Sequence, residues 1–241
     1  TYRLPDIAYH IDKVERGFDL IVDVFGADHI DSYPDVLLAL DALGTPTNHI
    51  KVVIHQFVTL KKDNQIVKMS TRKANFVTLD ELIEKLNSDV IRYFFIMRGT
   101  NTHLDFDLDL AMDESEKNPV YYLQYAHARI SNLIKRFNKE IKGKNKTNLS
   151  LLKEDDEIAL IKKLSDFPTK MNQIHESLEP KQLATYLEDL AAHYHKFYGN
   201  HKVINQNNID LSSARIKLCE ATQIILKTGL SILGIQAPEK M

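Results

Sequence analysis

Cysteine is nearly absent from this chain: of 241 residues, only Cys219 carries a thiol. An internal disulfide is therefore excluded, which fits a reducing compartment and a cytoplasmic location. Cys219 falls in an apolar-periodic stretch and reads as a small buried apolar residue. Long hydrophobic runs are missing too. No stretch of ~18 apolar residues occurs, so no membrane helix is expected, and the N-terminus lacks the basic-then-apolar secretory pattern. Net charge is slight, formally −2, which excludes a uniformly basic nucleic-acid binder but leaves room for a local basic patch. No internal repeat of roughly 20 to 50 residues is visible. Metal-ligand spacing is lacking as well. His10 and His29 have no Cys or second His nearby, and His193 and His195, two apart on a helix, point to different faces. No protein-bound metal is expected. What remains is the composition of a soluble globular protein, 44% hydrophobic and 27% charged, long enough for one large domain or two ordinary ones.

The first ~115 residues mix strand and helix signals. Asp19 to Phe25 is a short, β-branched, mostly apolar run and reads as a buried parallel strand. It ends in Gly26-Ala27-Asp28-His29, polar residues at the strand end where open α/β sheets bind ligands. Pro34 opens a helix over Asp35 to Leu43 that stops at Gly44. Lys51 to Leu60 reads as a second strand, Lys62 to Gln65 as a turn, and Ile66-Val67 as the return. Thr78 and Glu81 form a capping box for a helix to about Leu86. A further helix follows over about Asp89 to Met97. This order suggests the tail of a doubly wound domain, with too few parallel strands for a whole one.

From about Pro119 the strand signal disappears. Val120 to Phe137 is helical, Asn138 to Ser150 is a polar loop or frayed end, and three further amphipathic helices are predicted. They cover Asp156 to His175, Pro180 to Tyr198 and Ser212 to Leu233. In the middle one, Leu183, Leu187, Leu190, Ala191, Tyr194 and Phe197 form the apolar stripe. Such helices with short links read as a bundle.

The sharpest local signal is Val67-Lys68-Met69-Ser70-Thr71-Arg72-Lys73, between a hairpin and a capped helix. A basic loop with a small hydroxyl residue can close over a triphosphate and stabilise charge on departing pyrophosphate. Equally, it can be a solvated basic loop. The run Ile66 to Leu79 resembles the second class I aminoacyl-tRNA synthetase signature, Lys-Met-Ser-Lys, as arginyl-tRNA synthetases carry it. Asp6 to His10, Glu15 to Asp19, Gly26 to His29, Leu104 to Asp109, Asn118 to Arg129 and Gly234 to Met241 resemble that family collinearly, over the whole chain. Two positions depart from the pattern: Thr71 replaces the last lysine, and Ala74 the usual glycine. The first class I signature, His-x-Gly-His, is absent, as is the N-terminal tRNA-elbow domain. Together with a start at Thr1, this marks a fragment that is expected not to aminoacylate alone.

The resemblance implies α/β followed by all-α. Residues 1–115 would be the C-terminal part of a Rossmann-type class I catalytic domain, and residues 116–241 a helical-bundle anticodon-binding domain. It implies arginine activation with ATP, transfer to arginine tRNA, and magnesium arriving with ATP as substrate. Lys68 and Ser70 would be catalytic, contacting phosphates. Gln56, Phe57, Met69 and Arg72 would join them in holding ATP. Tyr2, Asp6 and His29 would bind L-arginine, Asp6 as charge partner. Pro5 argues against an ordinary helix there, and Asp6 also fits an N-cap. Tyr121, Tyr125 and Arg129, at i, i+4 and i+8, would meet tRNA bases, although the tyrosines also fit a bundle core. Lys135, Arg136, Lys139, Lys142, Lys144 and Lys146 offer phosphate contacts or a solvated face. Met241 would lie near the anticodon.

Competing readings are a stand-alone RNA-binding module, a cysteine or methionine class I synthetase, and a purely structural helical domain. The missing N-terminal half of the same protein is an expected partner; a membrane is not.

Overall fold

The strand β1 (Ile21–Gly26) pairs in parallel with β2 (Ile50–His55), Ile21 opposite Ile50 and Gly26 opposite His55. This pair anchors the first of two compact units in a computed structural model that describes residues 3–63, 65–67, 78–141 and 147–241. The first unit comprises residues 1–59 and 98–105, and the second residues 60–97 and 106–241.

In the first unit, α1 (Arg3–Glu15) and α2 (Tyr33–Ala42) bring Ile7, Ile11, Val14 and Leu37 onto a core of Ile21, Val36, Leu40 and Ile50. The chain turns after α2 at Gly44, whose φ of +75° suits glycine. Two expectations are corrected here. Pro5 does not prevent a helix, because it sits in the first turn of α1, where its missing N–H has no intrahelical acceptor to lose. And β1 is buried on one face only: Ile21 and Asp23 point inward, whereas Val22 and Val24 are 40% and 65% exposed. Strand side chains alternate, and among the described residues only one face is covered by helices.

Lys51 to Leu60 is not one strand. It breaks at Gln56-Phe57, and the chain resumes as β3 (Val58–Lys62). The break is held by Gln56 N–H donating to Thr100 O at 2.9 Å and by Phe57 O accepting from Leu104 N at 3.3 Å. β3 lies between β4 (Gln65–Ile66) and β5 (Leu104–Asp107) in a second sheet. The chain passes from the first unit to the second within β3, returns after Met97, and crosses again within β5.

The second unit continues with α3 (Leu79–Lys85), α4 (Ser88–Ile96) and α5 (Leu108–Met112). The capping box on α3 is formed as expected: Thr78 Oγ1 accepts from Glu81 N at 3.1 Å, and Glu81 Oε2 accepts from Thr78 N at 3.2 Å. A helical bundle follows: α6 (Pro119–Glu140), α7 (Asp155–Ser165), α8 (Phe167–Ser177), α9 (Lys181–Asn200) and α10 (Ile209–Ile232). The single helix expected over Asp156 to His175 is two, α7 and α8, parted at Asp166. Pro168 explains the break, since it fits the first turn of a new helix but not the interior of a continuous one. The stripe Leu183, Leu187, Leu190, Ala191, Tyr194 and Phe197 is buried in full. Helix α10 comes so close to α9 that a Cβ on Gly229 would sit 2.5 Å from Leu187 Cδ2. Cys219 is buried, and burial, then Glu220, push its thiol up to about 12.

One charge sits wholly inside the bundle. Glu157, 0% exposed, accepts from Arg215 Nε at 2.7 Å and from the Lys153 and Glu154 amides at 2.8 and 3.0 Å. Arg215 also donates to Lys202 O at 3.0 Å. Removing one partner strands the other in low dielectric. Arg215→Met is therefore expected to lower the unfolding free energy by about 3–5 kcal/mol, read by urea denaturation followed through helical circular dichroism. The double variant with Glu157→Gln should recover part of that loss.

Candidate functional sites

Helix α1 carries Asp6 in its first turn, and the C-terminal end of β1 runs into a 3-10 turn, Ala27–His29. Between them lies a cavity of about 450 Å³ whose wall includes Arg3, Asp6, His10, Asp23, Asp28 and His29. Two of the three residues that sequence assigned to arginine, Asp6 and His29, thus meet in one cavity. Tyr2 lies outside the described residues. The His29 ring stacks on Phe25, with centroids 5.3 Å apart.

The floor of this cavity is charged and buried. His10 Nε2 is 2.7 Å from Asp23 Oδ2, and His10 Nδ1 is 2.7 Å from the Asp6 carbonyl oxygen. Lys13 donates to the other Asp23 oxygen. Burial pushes the Asp23 carboxyl up, but the hydrogen bonds and charges of Lys13 and His10 outweigh it and hold the group below its usual value. His10 therefore links the helix turn bearing Asp6 to the strand bearing Asp23. Arg3 pairs with Asp35 across the start of α1 and α2. A cavity with Asp6 and Asp28 on its wall suits a planar cation such as guanidinium. Sequence reasoning quoted His10 and Asp28 without assigning them here and missed Asp23, Ser32 and Tyr33; the polar strand end was the available signal.

Gln56 and Phe57 occupy the break between β2 and β3, where Phe57 is 61% exposed. Lys68, Met69, Ser70 and Arg72 lie outside the described residues, as do Lys142, Lys144 and Lys146. Among the described residues, no group of three or more His, Cys, Asp or Glu is placed to hold a metal. No described helix is long and apolar enough to cross a membrane.

The second site lies in the bundle. A cavity of about 220 Å³ is lined from α6 by Tyr125, Ala128, Arg129, Asn132, Leu133 and Arg136, from α9 by Tyr198, and from the tail by Met241. The Arg129 guanidinium lies 4.3 Å from the Tyr125 ring centroid and 5.1 Å from that of Tyr198, and it donates to the Tyr125 hydroxyl. Aromatic rings beside a guanidinium are what splayed nucleobases stack on. The structure brings Tyr125, Arg129, Arg136 and Met241 together. Tyr121, half-buried, lies off this wall; burial, then Glu114, raise its hydroxyl pKa. Lys135 and Arg136 are ion-paired, with Glu239 and Glu140, each at 2.6 Å.

Met241 reaches the cavity because the tail is tied down along its length. Arg92 Nε donates to Leu233 O at 2.6 Å, and Gln124 Nε2 to Gln236 O at 3.0 Å. His127 Nδ1 donates to Pro238 O at 2.8 Å, and Lys135 holds Glu239. Nothing local in sequence announces these ties, which join α4 and α6 to residues far along the chain.

The model of class I tRNA synthetases (M) matches residues 22–138, and that of the DALR anticodon binding domain matches residues 123–241. The chain thus contains class I aminoacyl-tRNA synthetase sequence followed by a DALR helical domain. It is 52% identical over 242 residues to the arginine–tRNA ligase of Salinibacter ruber, covering 100% of this chain and 43% of that one. The Chlorobaculum tepidum ligase is 49% identical, with 100% and 44% covered. A solved Campylobacter jejuni structure, assigned as an arginyl-tRNA synthetase, superposes with a TM-score of 0.85 at 31% identity, covering 100% and 52%. Over its whole length the chain is thus similar to arginyl-tRNA synthetases. It spans less than half the length of the curated relatives it matches.

Two outcomes follow from this geometry. Gly234 has φ +70°, and a Cβ there would come within 2.4 Å of Arg92 Nε. Gly234→Ala is expected to cost about 1–3 kcal/mol through the left-handed backbone and the displaced arginine. Amide hydrogen exchange over residues 234–241 should accelerate. For Asp23, the lowered pKa means its stabilisation is complete above the ordinary 3.8 and lost as pH falls through the lower folded value. Asp23→Asn should remove that acid-sensitive component from the unfolding of the first unit, measured by acid titration.

Proposed function

We propose that this chain is the C-terminal part of an arginine–tRNA ligase and that its bundle reads the anticodon loop of arginine tRNA. The observation that carries the reading is Arg129 held over Tyr125 and Tyr198 with Met241 on the same wall, inside the segment matched by the anticodon-binding family. In this reading the catalytic portion extends to about residue 115 and the anticodon-binding portion covers residues 116–241.

The reaction would proceed in two steps: arginine and ATP give arginyl-adenylate and pyrophosphate, and the arginyl group then passes to the terminal adenosine of the tRNA. Asp6 and His29, with Tyr2, would receive the arginine, the Asp6 carboxylate facing its guanidinium. Lys68 and Ser70 would stabilise the leaving pyrophosphate, and Met69, Arg72, Gln56 and Phe57 would hold the nucleotide. Magnesium would arrive with ATP. Positioning and charge stabilisation carry such chemistry, with little demand for acid–base groups. The first class I signature is not in this sequence, so activity requires the N-terminal half of the ligase as partner. A cytoplasmic site follows from the same reading.

Band-shift titration with arginine tRNA and a non-cognate tRNA, at two salt concentrations, tests this. Cognate-selective binding is expected, and Arg129→Ala should reduce the preference by about 1–3 kcal/mol, or roughly fivefold to 150-fold. Equal, salt-sensitive binding to both tRNAs would leave only nonspecific phosphate contact and refute the assignment.

A further inference from the structure

Arg129 has five N–H donors and no acceptor, so each of its polar contacts must end on a lone pair. Two ring faces and the Tyr125 hydroxyl account for part of its shell. The remaining contact comes from behind the cavity wall, where Nη1 lies 3.2 Å from Nδ1 of His195. A guanidinium never accepts. The bare nitrogen of His195 is therefore Nδ1, and the ring hydrogen sits on Nε2.

That choice has a cost, because Nε2 is buried with no hydrogen-bond partner among the described residues. The ring is fixed by aromatics instead. Tyr122, Tyr125 and Tyr194 lie 4.9, 6.3 and 5.5 Å away by centroid. A side chain kept in a tautomer that leaves an N–H unpaired is doing something with its lone pair.

We propose that His195 is a positioning residue: its neutral ring presents the Nδ1 lone pair that fixes the Arg129 guanidinium against Tyr125 and Tyr198, aimed at a base of the bound RNA. This rests on the reading of the cavity as an anticodon-base site. The groups facing the ring are Tyr122, Tyr125 and Arg129 from α6, Tyr194 from α9, and more distantly Glu116. Burial, then the Arg129 charge, push the imidazole down to about 4, against a smaller opposing pull from Glu116. The ring is thus uncharged at neutral pH. A protonated ring would set one N–H against another and one cation against another, releasing Arg129.

Two substitutions separate this role from packing. His195→Asn retains an acceptor oxygen where Nδ1 stands, but loses volume; His195→Leu retains volume but has no lone pair. Affinities of the chain for arginine tRNA and for the same tRNA with a changed anticodon give a discrimination ratio. The Asn variant should keep a ratio close to that of the unsubstituted chain. The Leu variant should lose about tenfold, with binding to the altered tRNA unchanged. The reverse order, Leu retaining and Asn losing, is the signature of packing and overturns the proposal.

Nitrogen-15 spectra of the RNA-free chain judge the clamp separately. The hydrogen is expected on Nε2 from about pH 8 to about pH 5, and restricted Arg129 guanidinium rotation should survive in the Asn variant but not in Leu. A hydrogen on Nδ1 at neutral pH overturns the clamp. Absence of discrimination by the unsubstituted chain, with the expected spectra, would refute the RNA reading alone and leave the clamp standing.

Discussion

A buried carboxylate must find donors on every side, and Asp89 finds them on two sequence-distant segments. It is 6% exposed, accepts from Gln124 Nε2 at 2.9 Å, and accepts from the Gln236 amide at 3.2 Å. Because the cost of stranding such a charge is high, these partners are not interchangeable with water. The consequence is a fixed relation among α4, the start of α6 and the tail. Tyr93 adds a second tie from α4, its hydroxyl donating to Glu188 on α9 at 2.6 Å. The cavity on α6 inherits that rigidity, since the segment from Gln236 to Met241 can line it only if its beginning is held.

Much of the fold was legible because its signals are local. A Thr–Glu pair at capping-box spacing announced α3, and the leucine and aromatic spacing announced the buried stripe of α9. Where the sequence misled, the cause was a residue with two permitted meanings. Pro5 and Pro168 each argue against a helix interior but fit a helix's first turn, so α1 was not expected and α7 and α8 were read as one. Gln56-Phe57 contains neither glycine nor proline, so the break between β2 and β3 left no mark. It is made by a backbone bond to Thr100, which no local pattern reveals.

The sites divide the same way. Tyr125 and Arg129 are one helical turn apart, and that spacing is visible in sequence. Tyr198 completes the wall and His195 backs it through tertiary packing, and the tail ties span more than a hundred residues. In the first unit, Asp6 and His29 were assigned through family resemblance; His10 and Asp23 beneath them emerge only when α1 packs beside β1. The exposed Val22 and Val24 show the limit of reading burial from composition. An apolar run states that a strand prefers cover, not which chain supplies it.

The ties between α4 and the tail also bear on how the second unit forms. Helices α7, α8 and α9 pack on neighbours close by in sequence and can assemble early, whereas Arg92 meets Leu233 across 141 positions and Asp89 meets Gln236 across 147. Contacts of such long separation demand the largest loss of chain entropy and form slowly. The α7–α9 part of the bundle therefore gains its shape before α4 is sealed against it, and the wall bearing Met241 is among the last features to appear. On a ribosome, that wall waits until residues 234–241 have been made, after the helices it rests on have had time to pack.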